Sequence, residues 1–216
     1  MDIVKELGKK GADASKIAGY VIKQPEYIEQ LIEAVKAPRG TLRYGCEKVL
    51  RLVSETRPDL IYPYFDLYTD LLDSDNSFLK WGAILTIANL AEVDSNRKLD
   101  KIFDKYFSPI TDSVMITAAN IIGGSVKIAL ARPELTGRIT KEILKVEKAK
   151  FEMHNNPSPE CRNVAIGHAI DSFNQFFEQI DDKASVIKFV KRQLNNTRSA
   201  VVKKAEKFLK KHQCNL

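Results

Sequence analysis

The sequence predicts an all-α fold, because several features of the 216-residue chain agree. Apolar residues recur at spacings of three and four almost throughout, which is the period of an amphipathic helix. Turn-forming residues interrupt this pattern often, so that the helices between them run about 11–20 residues. No alternating strand pattern with hairpin punctuation stands out. With 44% hydrophobic and 29% charged residues, the chain has the composition of a globular protein.

The helices are expected to form pairs. A first helix over about residues 12–22 would cap the N-terminal end. Proline, glycine, asparagine and aspartate then punctuate the chain at Pro25, 37–40, Pro58, 73–76, Pro109, Pro133, 155–159 and 195–197. These breakers leave five helical pairs, at approximately 25–56, 58–93, 97–131, 133–178 and 182–212.

The pairs share a packing signature in their second helices. Each carries a small residue followed four positions later by an apolar one, and in three of them a basic residue stands three positions before the small one. Side chains four apart lie on one helical face, and a small residue lets two helices approach closely. These anchors are Cys46–Leu50, Ala83–Ile87, Ala118–Ile122, Ala165–Ala169 and Ala205–Leu209.

This arrangement resembles the HEAT-repeat family of α-solenoids. The best-matching unit is residues 58–93, PDLIYPYFDLYTDLLDSDNSFLKWGAILTIANLAEV, with its internal Pro63. The resemblance covers nearly the whole chain and implies a right-handed α-α superhelix of about five helical hairpins plus the capping helix. Residues 1–216 would then form one HEAT-like domain, because each hairpin must bury its apolar face against its neighbours.

Two features depart from a regular repeat. Gly123 and Gly124 interrupt the second helix of the third pair, which predicts a kink or a close contact there. The fourth pair is longer than the others, with MHNNPSPE at 153–160 inserted between its helices.

The resemblance also nominates a binding surface, because second helices line the concave side of HEAT-like proteins. Tyr44 and Trp81 stand two positions before their anchors and would floor a groove, with Asn89, Asn120 and His168 further along. The alternative is that the aromatic rings fill gaps between repeats while the polar residues face water. The groove interpretation predicts a protein partner and a scaffold or adaptor role.

A second candidate surface is basic. The net charge of +6 is concentrated toward the C-terminus, where Lys203, Lys204, Lys207 and Lys210 cover one side of the last helix. Lysines of this kind solubilise the outer face of a terminal repeat. A one-signed excess also attracts nucleic acid or another polyanion. Both interpretations stay open at this point.

The sequence contains no recognisable catalytic motif, and no catalytic residue is predicted. His168 and Asp171 share a helical face, an arrangement that is more often structural than catalytic. A weaker, partial resemblance connects the repeats, Trp81 and the basic charge to the HEAT-like DNA alkylation-repair glycosylases. That resemblance implies nucleic-acid binding or base excision as the alternative function. The residues three and four after Trp81 are Ile84 and Leu85, so no carboxylate shares its helical face.

Neither a metal nor a cofactor is expected, since Cys46, Cys161 and Cys214 lack the spacing of metal ligands. An odd number of cysteines, the absence of a secretory h-region and the absence of a membrane-length apolar run predict reduced thiols in a cytoplasmic protein.

Overall fold

A computed structural model describes residues 2–37 and 40–213, and it confirms the predicted all-α solenoid. Helical hairpins follow one another along the chain, and the described residues contain one strand pair of two residues each. The α-helices are α1 (Ile3–Leu7), α2 (Ala14–Lys23), α3 (Tyr27–Lys36), α4 (Leu42–Ser54), α5 (Pro58–Ile61), α6 (Phe65–Leu71), α7 (Ser77–Leu90), α8 (Lys98–Phe107), α9 (Met115–Ala131), α10 (Thr136–Leu144), α11 (Pro159–Phe176), α12 (Lys183–Arg192) and α13 (Ser199–Lys211).

The second helices of the five pairs are α4, α7, α9, α11 and α13. Their first helices are α3, α5 with α6, α8, α10 and α12, and α2 lies where the capping helix was expected. The first helix of the second pair is divided at Pro63, which lies in the 3₁₀ segment Tyr62–Tyr64 between α5 and α6. Proline lacks the N–H that an α-helix requires at an interior position, which explains this division.

Short 3₁₀ turns follow or precede most of the other helices. They satisfy backbone groups that the α-helices leave unpaired at their ends. These turns are Ala91–Val93, Ser108–Thr111, Pro133–Leu135, Lys145–Lys148, Phe177–Gln179 and Gln193–Asn195.

A small β-hairpin that the sequence pattern did not reveal occupies the insertion before α11. Strand β1 (Glu152–Met153) pairs antiparallel with β2 (Asn156–Pro157). The two residues of its turn, His154 and Asn155, both have positive φ angles, 53° and 61°. Two residues per strand are too few to produce a recognisable alternation, so only the turn-forming asparagines could have signalled it.

The chain divides into two compact units, Met1–Ile102 and Phe103–Leu216, each with its own core. In the first unit α4 packs against α2, α3 and α7, and the anchor residues Cys46 and Ala83 are fully buried. In the second unit α11 packs against α9 and α13. The anchors Ala118, Ala165 and Ala205 are likewise fully buried. The small anchor residues are therefore buried, as expected of residues that let two helices approach closely.

The diglycine in α9 does not interrupt the helix, which runs continuously from Met115 to Ala131. The predicted close contact is not present at Gly123, because no atom lies within 4 Å of an added Cβ there. Close to the diglycine, the Ser172 hydroxyl of α11 donates to the carbonyl of Ile122 at 3.0 Å, and both groups are buried.

Two cysteines lie among the described residues, and both are free thiols. Burial raises the pKa of the Cys46 thiol to about 11, which leaves this thiol unreactive at neutral pH. Cys214 and the Pro38–Arg39 part of the predicted 37–40 turn lie outside the described residues. Over residues 2–37 and 40–213, no helix has both the length and the apolar character needed to cross a membrane.

Candidate partner-binding surface

Three aromatic side chains of the first unit form a cluster at the N-terminal ends of α4 and α7. The Phe78 ring lies 5.9 Å from the Tyr44 ring and 5.7 Å from the Trp81 ring, measured between ring centroids. Phe78 is 66% exposed, Tyr44 is 37% exposed, and Trp81 is half-buried. We call Tyr44, Phe78 and Trp81 the aromatic cluster. It presents an apolar surface to solvent, which is unusual for a large side chain such as Phe78.

Asn76 fixes the position of this cluster. Its side-chain oxygen accepts hydrogen bonds from the backbone N–H groups of Phe78 (3.1 Å) and Leu79 (3.2 Å), so Asn76 is the N-cap of α7. Its amide nitrogen donates to the Tyr44 hydroxyl at 3.0 Å. One side chain therefore begins α7 and also holds that helix against α4.

The second unit contains an equivalent hydrogen-bonded contact, made by different residues. Asn163, like Tyr44, stands two positions before its anchor. Its amide donates to the Thr197 hydroxyl at 2.9 Å, and its side-chain oxygen accepts from Asn196 at 3.2 Å. Asn196 and Thr197 lie in the turn before α13. At both places, the residue two before the anchor hydrogen-bonds to the turn that precedes the next second helix.

The remaining residues nominated with the aromatic pair differ in their burial and in the unit to which they belong. Asn89 is 7% exposed, and its amide donates to the Ser54 hydroxyl of α4 at 2.8 Å. This places Asn89 in the contact between α4 and α7. Asn120 and His168 belong to the second unit, where Asn120 is half-buried and His168 is exposed.

His168 lies beside an ion pair. Lys204 of α13 donates to Asp171 of α11 at 2.5 Å and lies 3.4 Å from the Gly167 carbonyl. Partial desolvation and, next, the Lys204 ammonium lower the pKa of His168 below its ordinary value, while Asp171 opposes this shift. The imidazole is therefore neutral at physiological pH. Asp171 instead pairs with Lys204, and this ion pair joins α11 to α13.

The predicted basic surface on α13 is only partly available to a ligand. Lys203, Lys207 and Lys210 are exposed and make no ion pair with any residue of the described segments. Lys204 differs from them, because Asp171 holds its ammonium. Three of the four nominated lysines consequently keep their charge uncompensated.

A buried carboxyl group lies between α4 and α7, and the sequence analysis did not predict it. Glu47 of α4 is 6% exposed, and its carboxyl packs so closely on Gly82 of α7 that a Cβ there would lie 2.1 Å from it. Burial raises the pKa of Glu47 to about 7, and the Arg51 guanidinium opposes this shift. Glutamate is ordinarily exposed, and α4 has an amphipathic sequence, so the residue type of Glu47 did not indicate that it is buried.

This carboxyl and a nearby tyrosine are both incompletely hydrogen-bonded. One oxygen of Glu47 and the Tyr68 hydroxyl are among the buried side-chain atoms of the described residues that have no hydrogen-bond partner. Burial, with a smaller contribution from the Glu47 charge, raises the pKa of Tyr68. An unpaired polar group inside a protein is destabilising, so this region of the first unit is held together by apolar packing around it.

Exposed Phe78 was also missed, because α7 is apolar on nearly all sides and its composition does not show which face meets solvent. The tyrosine-rich segment 61–70 contributes mainly to internal contacts. Tyr68 is fully buried, and the Tyr62 hydroxyl donates to Asp94 at 2.7 Å. No group of three or more His, Cys, Asp or Glu side chains within 2–37 and 40–213 is arranged to hold a metal ion.

Comparison with known proteins gives a fold relationship only. No protein-family model and no curated protein matches the chain. A designed armadillo repeat protein, solved in complex with the peptide (KR)4, is similar over 99% of this chain and 98% of its own, with a TM-score of 0.56 and 14% sequence identity. A crystal structure of an engineered protein is similar over 99% and 97%, with a TM-score of 0.52 and 14% identity. Both support a helical repeat solenoid.

Proposed function

We propose that this chain is a non-catalytic scaffold that binds a peptide segment of a partner protein, with the aromatic cluster as the anchor of the binding surface. The observation that carries the proposal is Phe78, a large apolar side chain left 66% exposed between Tyr44 and Trp81. Exposed aromatic side chains with limited rotational freedom are the residue types that dominate the energetics of protein interfaces.

Two further observations support a binding role. The Asn76 cap holds α4 and α7 together, so the cluster is formed before a partner arrives and little ordering free energy is lost on binding. The similar designed armadillo repeat protein was solved with a bound peptide, which shows that a fold of this kind supports peptide binding in that protein.

The experiment is an unbiased selection of peptides on the purified full chain. A display library of random peptides is selected against the wild-type protein, and the recovered peptides are tested on Phe78→Ala. Removing the Phe78 ring should weaken the majority of them roughly tenfold or more, as truncation of an interface anchor does. The matched control is Leu130→Ala in α9, which truncates another exposed apolar side chain (50% exposed) in the second unit.

Failure takes a clear form. Recovery of no specific peptide, or recovery of peptides that bind both variants as tightly as wild type, would remove the aromatic cluster as a binding site. Circular dichroism of both variants should match wild type, because neither side chain is part of a core.

A second candidate function is polyanion binding on α13, as the DNA-repair resemblance suggests. It is favoured by Lys203, Lys207 and Lys210, which are exposed and have no ion pair within the described segments. An electrophoretic shift with duplex DNA near physiological salt tests it. Replacing these three lysines with glutamate should abolish the shift, and a retained shift would exclude α13 as the DNA-binding element.

A further inference from the structure

Helices α4 and α7 contact each other through paired residues that advance along both helices. These pairs are Tyr44 with Phe78, Glu47 with Gly82, and Ser54 with Asn89. Successive members stand three and seven positions apart in α4, and four and seven positions apart in α7. Residues at these spacings share one helical face. The aromatic cluster therefore lies at one end of the contact, the Glu47 carboxyl lies about one turn further along, and the buried Ser54–Asn89 hydrogen bond lies beyond it.

The Glu47 carboxyl is poorly placed to carry a charge in this contact. It is 6% exposed, and one of its oxygens has no hydrogen-bond partner among the described residues. The carboxyl lies directly against the backbone of α7 at Gly82, which has no side chain to compensate a charge. A carboxylate removed from water needs a counter-charge or several hydrogen bonds. The neutral carboxyl is therefore the form that fits the closed contact.

The groups around Glu47 do not supply that compensation. Arg51, one turn further along α4, lowers the pKa of Glu47, but its guanidinium also pairs with Glu55 at 2.8 Å. Tyr68 of α6 interacts with Glu47, and burial raises the pKa of this phenol, so that it stays neutral. Burial of the carboxyl outweighs Arg51 and raises the pKa of Glu47 to about 7.

The helices that pack on α4 carry other titratable side chains, none of which contributes to this raised pKa. With those of α4 itself, they are Lys5 and Glu6 of α1, Lys16, Tyr20 and Lys23 of α2, Tyr27, Glu29, Glu33 and Lys36 of α3, Arg43, Tyr44, Cys46 and Lys48 of α4, Asp59 of α5, and Lys80 of α7.

We infer that Glu47 is a pH-sensitive switch for the aromatic cluster: its neutral carboxyl keeps the N-terminal ends of α4 and α7 together, and its ionisation separates them. The Ser54–Asn89 hydrogen bond holds the two helices together further along, so the separation is largest at the cluster. The conformational change stands by itself, while its effect on a bound peptide rests on the proposed function.

Low pH favours the closed contact. Separation exposes the carboxyl to water, where its pKa returns toward the ordinary value of 4.5, against about 7 in the closed contact. The closed form thus retains a proton that the separated form releases between these values. The ratio of closed to separated molecules should fall by up to about 300-fold as pH rises from about 4.5 to about 7, and should then level off.

Trp81 reports the state of this contact without any ligand. It is the one tryptophan of the chain, it precedes Gly82, and its ring meets the Phe78 ring. The test measures its emission maximum and its quenching by acrylamide in the full chain from pH 4.5 to pH 8.5. As pH rises, Trp81 should emit at longer wavelength and be quenched more strongly, with a midpoint at or below about pH 7. Far-UV circular dichroism should stay constant over this range.

Variants assign the response to Glu47. Glu47→Gln and Glu47→Met both replace the ionisable group by a neutral one on a side chain of similar length. Each should keep the low-pH emission of wild type throughout the range. The matched control is Glu92→Gln, which removes an exposed carboxyl and should titrate like wild type. Histidine also titrates near neutral pH, but the three histidines of the chain all lie in the second unit.

A second measurement connects the switch to binding. The probes are N-acetylated peptides from the library selection that contain no Asp, Glu or His, so that their own charge stays constant between pH 5 and pH 8. Their affinity for wild type should weaken at least about fivefold over this range, because fewer molecules present the closed cluster. Their affinity for Glu47→Gln should not change.

Other outcomes overturn the inference in distinguishable ways. A constant Trp81 signal in wild type would refute the switch, and so would a titration that Glu47→Gln and Glu47→Met retain. Loss of circular dichroism in parallel with the fluorescence change would show global unfolding and would also refute it. A Trp81 titration without a change in peptide affinity would refute control of binding and support the conformational switch alone. Selected peptides that Phe78→Ala does not weaken would refute the proposed function, and the ligand-free titration of Trp81 would still decide the switch.

Discussion

Glu47 and Gly82 depend on each other, since the carboxyl occupies the space where a Cβ of residue 82 would stand. Gly82→Ala should therefore destabilise the protein by about 1–3 kcal/mol through overpacking, although alanine is the better helix former. The matched control is Gly123→Ala in α9, where no atom lies within 4 Å of an added Cβ. That change should instead stabilise by about 0.5–1 kcal/mol. Urea denaturation of the two variants checks both signs.

A double variant isolates the cause. In the Glu47→Ala background the carboxyl is absent, so adding Gly82→Ala should cost much less than it does in wild type. An equal cost in both backgrounds would show that the Gly82 effect has another origin. The coupling is measurable because residues in direct contact give non-additive changes in the free energy of unfolding.

The buried Glu47 carboxyl also predicts a pH dependence. Its folded-state pKa is about 7, against an ordinary value of 4.5, so the folded chain retains a proton that the unfolded chain releases between these values. The free energy of unfolding should consequently fall as pH rises from about 4.5 to about 7, by ~3 kcal/mol in total, and level off above that. Glu47→Gln should flatten this slope, measured by urea denaturation from pH 5 to pH 8.

The exposed Glu92 provides the comparison, because Glu92→Gln removes a carboxyl that stays in water. That variant should keep the wild-type slope. A Glu47→Gln protein with an undiminished slope would assign the pH dependence to other groups.

Single residues also show where sequence reasoning reaches its limit. The anchors could be predicted, because a repeated small residue has one simple explanation in helix packing. Burial of Glu47 and exposure of Phe78 could not, because each contradicts the ordinary preference of its residue type. Both depend on how α4 meets α7, which no local pattern encodes.

At the scale of elements, the helix pairs were predictable from their breakers because proline and N-capping residues act locally. The division of one first helix at Pro63 and the short hairpin at 152–157 were not. Candidate surface residues were harder still. Tyr44 and Trp81 do lie in one cluster, whereas Asn89 packs between helices, since the repeat register alone does not distinguish an exposed polar residue from a buried one.

The cap of α7 gives a prediction at this scale. Asn76→Ala removes both the cap and the contact with Tyr44, and should cost about 1–2 kcal/mol. Asn76→Asp keeps an oxygen that caps the helix, and it can accept a hydrogen bond from the Tyr44 hydroxyl, so its cost should stay below about 0.5 kcal/mol. Thermal unfolding compares the two. Equal destabilisation would mean that the amide nitrogen, and not the capping oxygen, is the important group.

At the scale of the whole molecule, the excess of lysine on α13 predicts a salt response. Lys203, Lys207 and Lys210 lack ion pairs within the described residues, so they contribute repulsion that salt screens. Raising NaCl from 20 to 300 mM should raise the Tm of wild type by about 2–4 °C, a shift worth ~1 kcal/mol for a chain of this size. Changing all three lysines to glutamate should remove most of that increase. An identical increase in the variant would exclude long-range repulsion from α13.

The fold was the most predictable property of the molecule, because the same pattern of helix breakers and small residues recurs several times along the chain. Function was the least predictable, since solenoids share their interior pattern and differ on their surfaces. Tyr44 shows both sides of this. Its place in the register followed from the repeat, while its hydrogen bond to Asn76 and its contact with Phe78 emerged only from the structure.

The Glu47–Gly82 contact finally bears on how such a chain can change during evolution. Repeat proteins gain and lose units by duplication and deletion, and this tolerance requires interchangeable interfaces. Here the first helical pair contributes the Glu47 carboxyl, and the second pair contributes the space above Gly82 that receives it. Ile84 follows the anchor Ala83 as Glu47 follows the anchor Cys46. Duplicating the helical pair 58–93 would therefore place Ile84, in the position equivalent to Glu47, against a second copy of Gly82. The contact between these two helical pairs therefore depends on both Glu47 and Gly82, and a substitution at one of them limits the substitutions that are tolerated at the other.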